Sequence, residues 1–225
     1  MTLCCLALKK LNGKLSLAKT TAIWAGAVTP AYCLTQNEQE DNDMSANNEY
    51  LFETERLGFR HWNEDDAEVL FSMAKEKEVG SPCGWPAHKT IEESINVINN
   101  VFTNPENYAI CLKETGEPIG TADLMFHYEN KDECELGYWL GKPYWGQGIM
   151  PEACKLLLKR AFEDLNVSKV WCGYYQGNEK SKRVQEKLGF KYNRTDENVK
   201  VSLLDEIRTN VVNLMTKEDW EQLNN

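Results

Sequence analysis

Two glycines stand where an apolar segment gives way to a helical pattern, and such a junction can bind an anion. Residues 134–140 read as a strand, Gly146 and Gly148 follow in a short loop, and a helical stripe begins near Met150. Backbone N–H groups and the positive end of the helix dipole at such a junction bind phosphate in particular. Glycine lets the backbone approach a ligand without an intervening Cβ atom. The pattern predicts an anion site, although plain strand-to-helix turns also contain it.

A second segment, about thirty residues further on, brings polar side chains to the start of another helix. Asn178 suits an N-cap, Gly189 suits the left-handed residue that ends a helix, and Phe190 returns the chain to the core. Ser181 lies in the first turn, where serine is common and where its hydroxyl could also donate a proton. A capped helix explains the other three residues without any function. The pairing of this segment with the glycine loop is therefore what points to a site.

The elements that must position these two segments follow from hydrophobic periodicity and turn residues. Strands are predicted at residues 52–62, 108–112, 119–126, 134–140, 170–174, 190–193 and 207–214. Helices are predicted to begin at Asn63 and Thr90, to span residues 150–165 and 178–188, and to follow Thr216. This order predicts a domain of the α/β class, an α+β mixed sheet with helices on both faces.

Charge is divided unevenly along the chain. The 225 residues contain 25 Lys and Arg against 35 Asp and Glu, a net charge of -10. Residues 1–37 hold four lysines and no acid, so the remainder carries a net charge of -14. A nucleic-acid groove needs a concentrated basic surface. We therefore expect no nucleic-acid partner.

The same division predicts residues 1–49 as a leader with a polar linker and residues 50–225 as the folded domain. The linker is too polar to bury the apolar surface that folding needs. The apolar run 22–34 is shorter than the roughly 20 residues of a membrane-spanning helix, so no integral span is expected. The leader is interpreted either as a targeting or anchoring segment or as an upstream extension of a chain that starts at Met44.

The eight cysteines and three histidines show no metal-binding pattern. No C-x-x-C pair occurs, and His61, His88 and His127 lie far apart. Several cysteines sit inside apolar segments, as buried small hydrophobic residues do. We expect reduced thiols, no metal ion and a cytoplasmic location.

In this order, the segments resemble the GNAT acyltransferases, in particular the branch typified by the ribosomal-protein N-terminal acetyltransferases of the RimJ/RimL type. The resemblance covers about residues 51–223. It rests on residues 54–60, the acid-rich helix after Asn63, and residues 137–140, 144–153, 178–190 and 215–220. One position departs from the superfamily pattern, because Pro143 stands where Gln or Arg is usual. The backbone cradle tolerates this change, but one side-chain contact to a pyrophosphate is not expected.

The resemblance implies a GNAT-like fold, a central and mostly antiparallel sheet flanked by helices on both faces, with acetyl-CoA as co-substrate and no metal. The pantetheine arm would pair like an extra strand with the backbone of Tyr138, Trp139 and Leu140. Asn178 would reach the pantetheine, and Ser181 would approach the thiol. The pyrophosphate would lie on the backbone amides of Gly146, Gln147, Gly148, Ile149 and Met150.

Acetyl transfer to an amine defines two further roles. The attacking amine must lose a proton, from a pKa of about 8 for an α-amine or about 10 for a lysine-type amine. A carboxylate can accept that proton directly or through water. Glu135 is the candidate base, the alternative being an ordinary surface carboxylate, and Ser181 is the candidate acid for the leaving thiolate. Neither Cys134 nor Cys172 has an adjacent His, so direct transfer is expected.

The sequence thus predicts an acetyl-CoA-dependent N-acetyltransferase whose acceptor is a primary amine, either a protein N-terminus or a small molecule. The acceptor pocket is expected at the first two helices and the loop 80–88, with Trp85 lining it. The alternative is a non-catalytic acyl-CoA-binding regulatory module that retains the cradle. A generic nucleotide-binding domain is disfavoured because the P-loop pattern G-x-x-x-x-G-K-[ST] is absent.

Overall fold

Eight strands form one mixed sheet in the structure, a computed structural model that describes residues 50–127 and 130–224. The strands are β1 Phe52–Glu53, β2 Leu57–Arg60, β3 Asn107–Leu112, β4 Pro118–His127, β5 Asn130–Leu140, β6 Lys169–Tyr175, β7 Lys191–Val201 and β8 Glu206–Thr216. Their order across the sheet is β1-β2-β3-β4-β5-β6-β8-β7. All neighbours are antiparallel except β5 and β6, which are parallel. The predicted α/β class with a mostly antiparallel sheet is confirmed.

Helices pack on both faces of the sheet. They are α1 Ala67–Ala74, α2 Lys77–Gly80, α3 Ile91–Asn100, α4 Ile149–Lys159, α5 Glu179–Leu188 and α6 Lys217–Asn224. One buried cluster joins α1 and α3 to β3 and β5, with Leu70 and Trp139 among its members. The other joins α4 and α6 to β4 and β5, with Leu136 and Leu157 among its members. Because side chains alternate along a strand, β5 contributes to both clusters.

Two predicted helix starts are confirmed by their capping contacts. The Asn63 backbone N–H donates to the Asp66 carboxylate at 3.0 Å, just before α1. The Thr90 hydroxyl accepts from the Glu93 backbone N–H at 3.3 Å at the start of α3. Each contact satisfies an N–H group that a helix end would otherwise leave unbonded.

Some strand boundaries differ from those predicted. The strand expected at 52–62 is divided into β1 and β2 by a turn, in which the Thr54 N–H donates to the Leu57 carbonyl at 2.8 Å. The strand expected at 190–193 extends to Val201, because β7 pairs along most of β8. Most of the β7 side chains are exposed and polar, as is common for an edge strand, so no apolar alternation marks its length. The helix expected at 150–165 is α4 followed by the π-helical turn Arg160–Asp164.

The leader and linker predicted for residues 1–49, including the possible start at Met44, lie outside the described residues. Within residues 50–127 and 130–224, no helix is long and apolar enough to cross a membrane. Over the same two ranges, no group of His, Cys, Asp and Glu side chains has a metal-binding arrangement.

Candidate active site

The sheet opens between β5 and β6, and this gap organises the site. The two strands pair at three positions only, the last being Glu135 opposite Trp171. Strand β5 continues to Leu140 and β6 to Tyr175. The edge of β5 that faces the gap therefore has no strand partner beyond Glu135. An extended ligand can pair with such an edge.

The glycine loop follows the end of β5 and contains two left-handed residues. Gly146 has a φ of 77° and Gly148 a φ of 75°, a region that favours glycine. Gly148 is the N-cap of α4, so the first amides of that helix, at Ile149 and Met150, have no partner inside the helix. This is the geometry of an anion-binding turn.

A side-chain network ties the loop to α4. Arg56 donates to the Glu152 carboxylate from Nε at 2.9 Å and from Nη2 at 2.5 Å. Its Nη1 donates to the Gln147 carbonyl at 3.3 Å, and the Thr54 hydroxyl donates to Glu152 at 2.5 Å. Because a bidentate Arg–carboxylate pair has a defined orientation, the turn before β2 holds the loop against the first turn of α4.

The first turn of α5 reaches back to β5. Asn178 caps the helix by accepting from the Ser181 N–H at 3.3 Å, and its Nδ2 donates to the Pro82 carbonyl at 3.3 Å. The Ser181 hydroxyl lies 2.9 Å from the Tyr138 hydroxyl and accepts from Gln185 Nε2 at 3.2 Å. A hydroxyl oxygen accepts two hydrogen bonds and still donates one. When Tyr138 is the donor in the contact between the two hydroxyls, the Ser181 proton is available to a third group.

One cavity of about 500 Å³ joins the gap, the glycine loop and α5. That volume is within the usual range for small-ligand sites. The cofactor residues predicted from sequence that line it are Tyr138, Trp139, Leu140, Gly146, Gly148, Ile149, Met150, Asn178 and Ser181. Of the other predicted residues, Gln147 turns its amide back to the Pro143 carbonyl at 2.9 Å, outside the cavity lining. Glu135 lies deeper along β5 and is also outside the lining.

Three basic side chains at the cavity were missed by the sequence analysis. Lys180, Arg183 and Lys187 line it from one side of α5. The Lys180 ammonium lies 3.2 Å from the centroid of the Trp145 ring, and burial lowers its pKa. These basic residues follow the Asn178 cap and are spaced three and then four positions apart, which places them on one helix face. This spacing is a sequence signal that could have identified the face. The face gives an acidic protein a local cationic wall.

Glu135 is buried on the sheet face that carries Trp139. It is only 3% exposed, so it is not the ordinary surface carboxylate that the sequence allowed. Burial, with a smaller contribution from the charge of Asp123, raises the pKa of Glu135 to about 7. In the part of the chain that the structure describes, its Oε1 atom has no hydrogen-bond partner. A carboxyl group with a pKa near 7 can exchange a proton at neutral pH.

The loop 80–88 lies beside the cavity, but Trp85, which was expected to line the acceptor pocket, is not among the residues that line this cavity. Pro82 lines the cavity and Trp85 lies behind its wall, where it packs edge-on against Trp139 with ring centroids 5.9 Å apart. Trp62 stacks on Trp139 from another direction at 6.3 Å. These aromatic rings form a rigid wall on the sheet face that also holds Glu135.

The two cysteines near the gap lack the surroundings of a nucleophile. Cys134 and Cys172 are buried thiols. Burial raises the pKa of Cys134 to about 12 and that of Cys172 well above its ordinary value. Since the thiolate is the reactive form, these surroundings favour direct transfer over an acyl-cysteine intermediate.

A comparison with known families decides the class of protein. Residues 56–191, more than half of the chain, match the family described as the acetyltransferase (GNAT) domain. The chain belongs to the GNAT acetyltransferase family. The matched range contains the gap, the glycine loop and α5, and the predicted resemblance and transferase activity are confirmed.

Individual GNAT relatives agree with this assignment. The uncharacterized N-acetyltransferase p20 of Bacillus licheniformis is 28% identical over 142 residues, which cover 61% of this chain and 80% of p20. YdaF of Bacillus subtilis, provisionally named a ribosomal N-acetyltransferase, is 43% identical over 70 residues, 29% of this chain and 38% of YdaF. The structure of spermidine N-acetyltransferase from Vibrio cholerae, in complex with CoA and spermine, shares the fold. It has a TM-score of 0.63 at 13% identity and covers 75% of this chain and 99% of that one.

Proposed function

We propose that this GNAT enzyme transfers the acetyl group of acetyl-CoA directly to a primary amine, either a protein N-terminus or a small-molecule amine. One observation carries the proposal. A single cavity brings together the open edge of β5, the glycine loop and the Ser181 hydroxyl. These are an extended binding edge, an anion site and a proton donor, which are the three groups that a long thioester with a pyrophosphate requires.

The glycine loop and the basic face of α5 support binding of the anionic part of acetyl-CoA in this cavity. The pyrophosphate would accept hydrogen bonds from the amides of the loop and of the first turn of α4. Lys180, Arg183 and Lys187 on the opposite wall supply positive charge. Among the relatives, the spermidine N-acetyltransferase of similar fold has been solved with CoA.

The thioester end of the ligand would lie in the gap. The backbone from Tyr138 to Leu140 would offer hydrogen-bonding groups to the pantetheine amides. Asn178 Nδ2 donates one hydrogen to the Pro82 carbonyl and would donate the other to a pantetheine carbonyl. This arrangement leads the sulfur towards Ser181. The acceptor amine would enter from the sheet face that carries Trp139 and Glu135.

Each residue of the site then has one role in acetyl transfer. Glu135 takes a proton from the incoming amine, through water because its carboxyl lies below the cavity lining. A backbone N–H of β5 stabilises the oxyanion that forms on the acetyl carbonyl. Ser181 donates to the leaving sulfur, whose thiol has an ordinary pKa of about 8.5. The products are the acetylated amine and the CoA thiol.

We assign this function to the domain at residues 50–225, with residues 1–49 as leader and linker. The buried thiols of Cys111, Cys134, Cys154 and Cys172 support a reducing, cytoplasmic location. The name of one protein of similar fold, spermidine N-acetyltransferase, gives an amine as its acceptor.

The test incubates the full chain with acetyl-CoA and a panel of acceptors. The panel contains peptides with free Ala and Ser N-termini, spermidine, and Nα-acetyl-lysine methyl ester, whose ε-amine is free. Thiol release and product mass report transfer, and calorimetry reports acetyl-CoA binding. Transfer to at least one amine, with competition by CoA but not by ATP, is expected. The absence of both acetyl-CoA binding and transfer to any acceptor would refute the proposal. Binding without transfer, unchanged by Ser181→Ala and Glu135→Gln, would identify the regulatory module instead.

A matched serine variant distinguishes an effect on catalysis from a general effect of removing a hydroxyl group. Ser181→Ala should lower kcat by roughly a hundredfold, a typical loss for a positioned proton donor. Ser72→Ala removes a hydroxyl whose one hydrogen bond within residues 50–127 and 130–224 goes to the Val69 carbonyl of α1 at 2.7 Å, and it should leave kcat unchanged.

A further inference from the structure

Asp123 is a buried carboxylate that the proposed chemistry leaves unused. It lies on β4, directly opposite Asn107 of β3 on one side and Gly137 of β5 on the other. It is 6% exposed. A charged group in such a place is costly unless it is paired or neutralised, and the surroundings of Asp123 offer it one neutral partner.

The Asp123 carboxylate extends over Gly137. A Cβ atom added to Gly137 would lie 2.3 Å from Oδ1 of Asp123, so the carboxylate occupies the place that a side chain at 137 would fill. Residues opposite each other in antiparallel strands share a face of the sheet, and residues two apart on one strand share it too. The Asp123 carboxylate and the Glu135 side chain therefore stand next to each other along β5, at positions about 7 Å apart.

The pair lies where the gap begins. Pairing of β5 with β6 ends at Glu135, and Gly137 is the first residue beyond it on the same face. The cavity is lined both by Tyr138 and by Trp139, whose side chains point to opposite faces of the sheet. It thus passes through the gap, and a ligand on the Asp123 face can reach a thioester bound on the other.

Asn107 holds Asp123 in position and marks the site as incomplete. Its side-chain amide donates to the Asp123 carboxylate, which lowers the pKa of Asp123, while burial acts in the opposite direction and dominates. Asn107 is 1% exposed, and its own Oδ1 has no hydrogen-bond partner within the described ranges. Oε1 of Glu135 is likewise without one there. Buried acceptors are normally bonded, so these two oxygens point to a donor that comes from outside.

We propose that Asp123 is a second carboxylate of the proton relay, which together with Glu135 shares, through water, the proton that the acceptor amine releases. This inference rests on the proposed function.

The proton balance is simple. The ammonium R–NH3+ gives one proton to the carboxylate pair and becomes R–NH2. The nitrogen lone pair forms the new N–C bond to the acetyl carbon, the C–S bond breaks, and the second nitrogen proton replaces the one that Ser181 passes to sulfur. Acetylated amine and CoA thiol leave, and the pair returns its proton to water.

The test compares Asp123→Asn with Asp164→Asn in the full chain, using the best acceptor from the panel. Asp164 is an exposed acid in the π-helical turn after α4, outside the cavity lining, and it pairs with Arg160 at 3.3 Å. Its variant should behave as wild type. Asp123→Asn should lower kcat/KM for the amine by at least about tenfold. The KM for acetyl-CoA should stay within about twofold.

The pH profile separates a catalytic role from a structural one. Among the residues that the structure describes, the charged groups that act on Glu135 are Asp123 of β4 and Arg194 of β7, and loss of the Asp123 charge lowers the pKa of Glu135. The acid limb of kcat/KM should therefore move to lower pH in Asp123→Asn. If Asp123→Asn changes neither kcat/KM for the amine nor the acid limb of its pH profile, the inference is overturned. The proposed acetyl transfer by the wild-type protein would not be affected by that result.

A second variant covers the case in which Asp123→Asn does not fold. Asp123→Glu keeps the charge but moves it by one methylene, and a circular dichroism melt checks that the protein is folded. A folded Asp123→Glu protein that loses kcat/KM for the amine but retains acetyl-CoA binding is the expected result. A folded Asp123→Glu protein with wild-type kcat/KM would contradict the role.

Discussion

The hydroxyl oxygens of Tyr138 and Ser181 lie 2.9 Å apart, one on β5 and the other on α5. The two residues are 43 positions apart in the chain. Gln185 donates to the same serine oxygen at 3.2 Å and to the Gly173 carbonyl at 3.3 Å. Asn213 Nδ2 in turn donates to Oε1 of the Gln185 side chain at 2.7 Å. The proposed acid is thus oriented by a buried network that spans the gap.

Removal of the tyrosine hydroxyl tests this orientation. Tyr138→Phe should lower kcat by about three- to tenfold, less than Ser181→Ala, because Tyr138 acts through the serine. The double variant should be no slower than Ser181→Ala alone, since residues that act as one unit are not additive. Steady-state kinetics on the four proteins of the cycle measure this. Fully additive losses would show that the two hydroxyls act independently.

Arg56 should affect cofactor binding more than stability. Arg56→Lys keeps the charge but loses the bidentate contact with Glu152 and the bond to the Gln147 carbonyl. We expect the KM for acetyl-CoA to rise about fivefold, with kcat nearly unchanged. The Arg56 side chain is 47% exposed, so the free energy of unfolding should fall by no more than about 1 kcal/mol.

A control for Arg56 is the exposed pair of Lys200 and Asp205, which lie 3.8 Å apart and outside the cavity lining. Asp205→Asn breaks that pair without touching the glycine loop, and the KM for acetyl-CoA should not change. An equal rise in KM in both variants would mean that general surface charge, not loop position, controls binding.

The left-handed glycine at the start of α4 should be sensitive to a methyl group. Gly148→Ala forces φ = 75° on a residue with a Cβ atom, at a cost of about 1–2 kcal/mol, and the loop relaxes away from the anion site. Acetyl-CoA binding measured by calorimetry should weaken at least about tenfold. Gly116→Ala has a similar φ of 72° in the turn between β3 and β4. It should lose comparable stability but keep its acetyl-CoA affinity, and equal binding losses in both would contradict the assignment.

The two buried carboxyl groups should make the fold less stable at alkaline pH. Burial raises the pKa of both Asp123 and Glu135 to about 7, above their ordinary values of 3.8 and 4.5. A raised carboxyl pKa favours the folded state fully at low pH, and that contribution is lost as the pH rises through 7. The free energy of unfolding should thus fall between pH 5.5 and pH 8 for this reason. In Glu135→Gln the fall should be smaller, as urea titrations at the two pH values would measure.

The control for this prediction is the neighbouring Glu133. Its pKa is lowered, first by the hydrogen bond from Trp171 and then by that from Lys169. It stays ionised across the whole interval, so Glu133→Gln should leave the pH dependence unchanged. An unchanged dependence in Glu135→Gln as well would show that Glu135 is ionised in the fold at pH 5.5.

Much of the candidate site could be predicted because it is local in sequence. The glycine loop, the start of α4 and the Asn178 cap are each set by neighbouring residues, through backbone conformation and helix-end hydrogen bonds. The basic face of α5 was also readable at helical spacing, although it was missed. An acid at position 123 within the apolar stretch 119–126 was a further local signal, because a charge on a buried strand needs a reason.

The long β7 illustrates why other features could not be predicted. Its exposed polar side chains carry no period-two pattern, and its length is fixed by pairing with β8. The burial of Glu135 depends on neighbours from other strands and helices, so the sequence alone left it as either a base or a surface carboxylate.

By itself, the sequence determined the order of most elements, the glycine turn before α4 and the family, because turns, caps and periodicity act over a few residues. Only the tertiary structure decided where β5 and β6 separate, that Tyr138 meets Ser181, and that Asp123 covers Gly137 beside Glu135. These relations depend on strand register and on the crossing of α5 over the sheet. Contacts between distant residues are set by how the whole core packs, which no local pattern specifies.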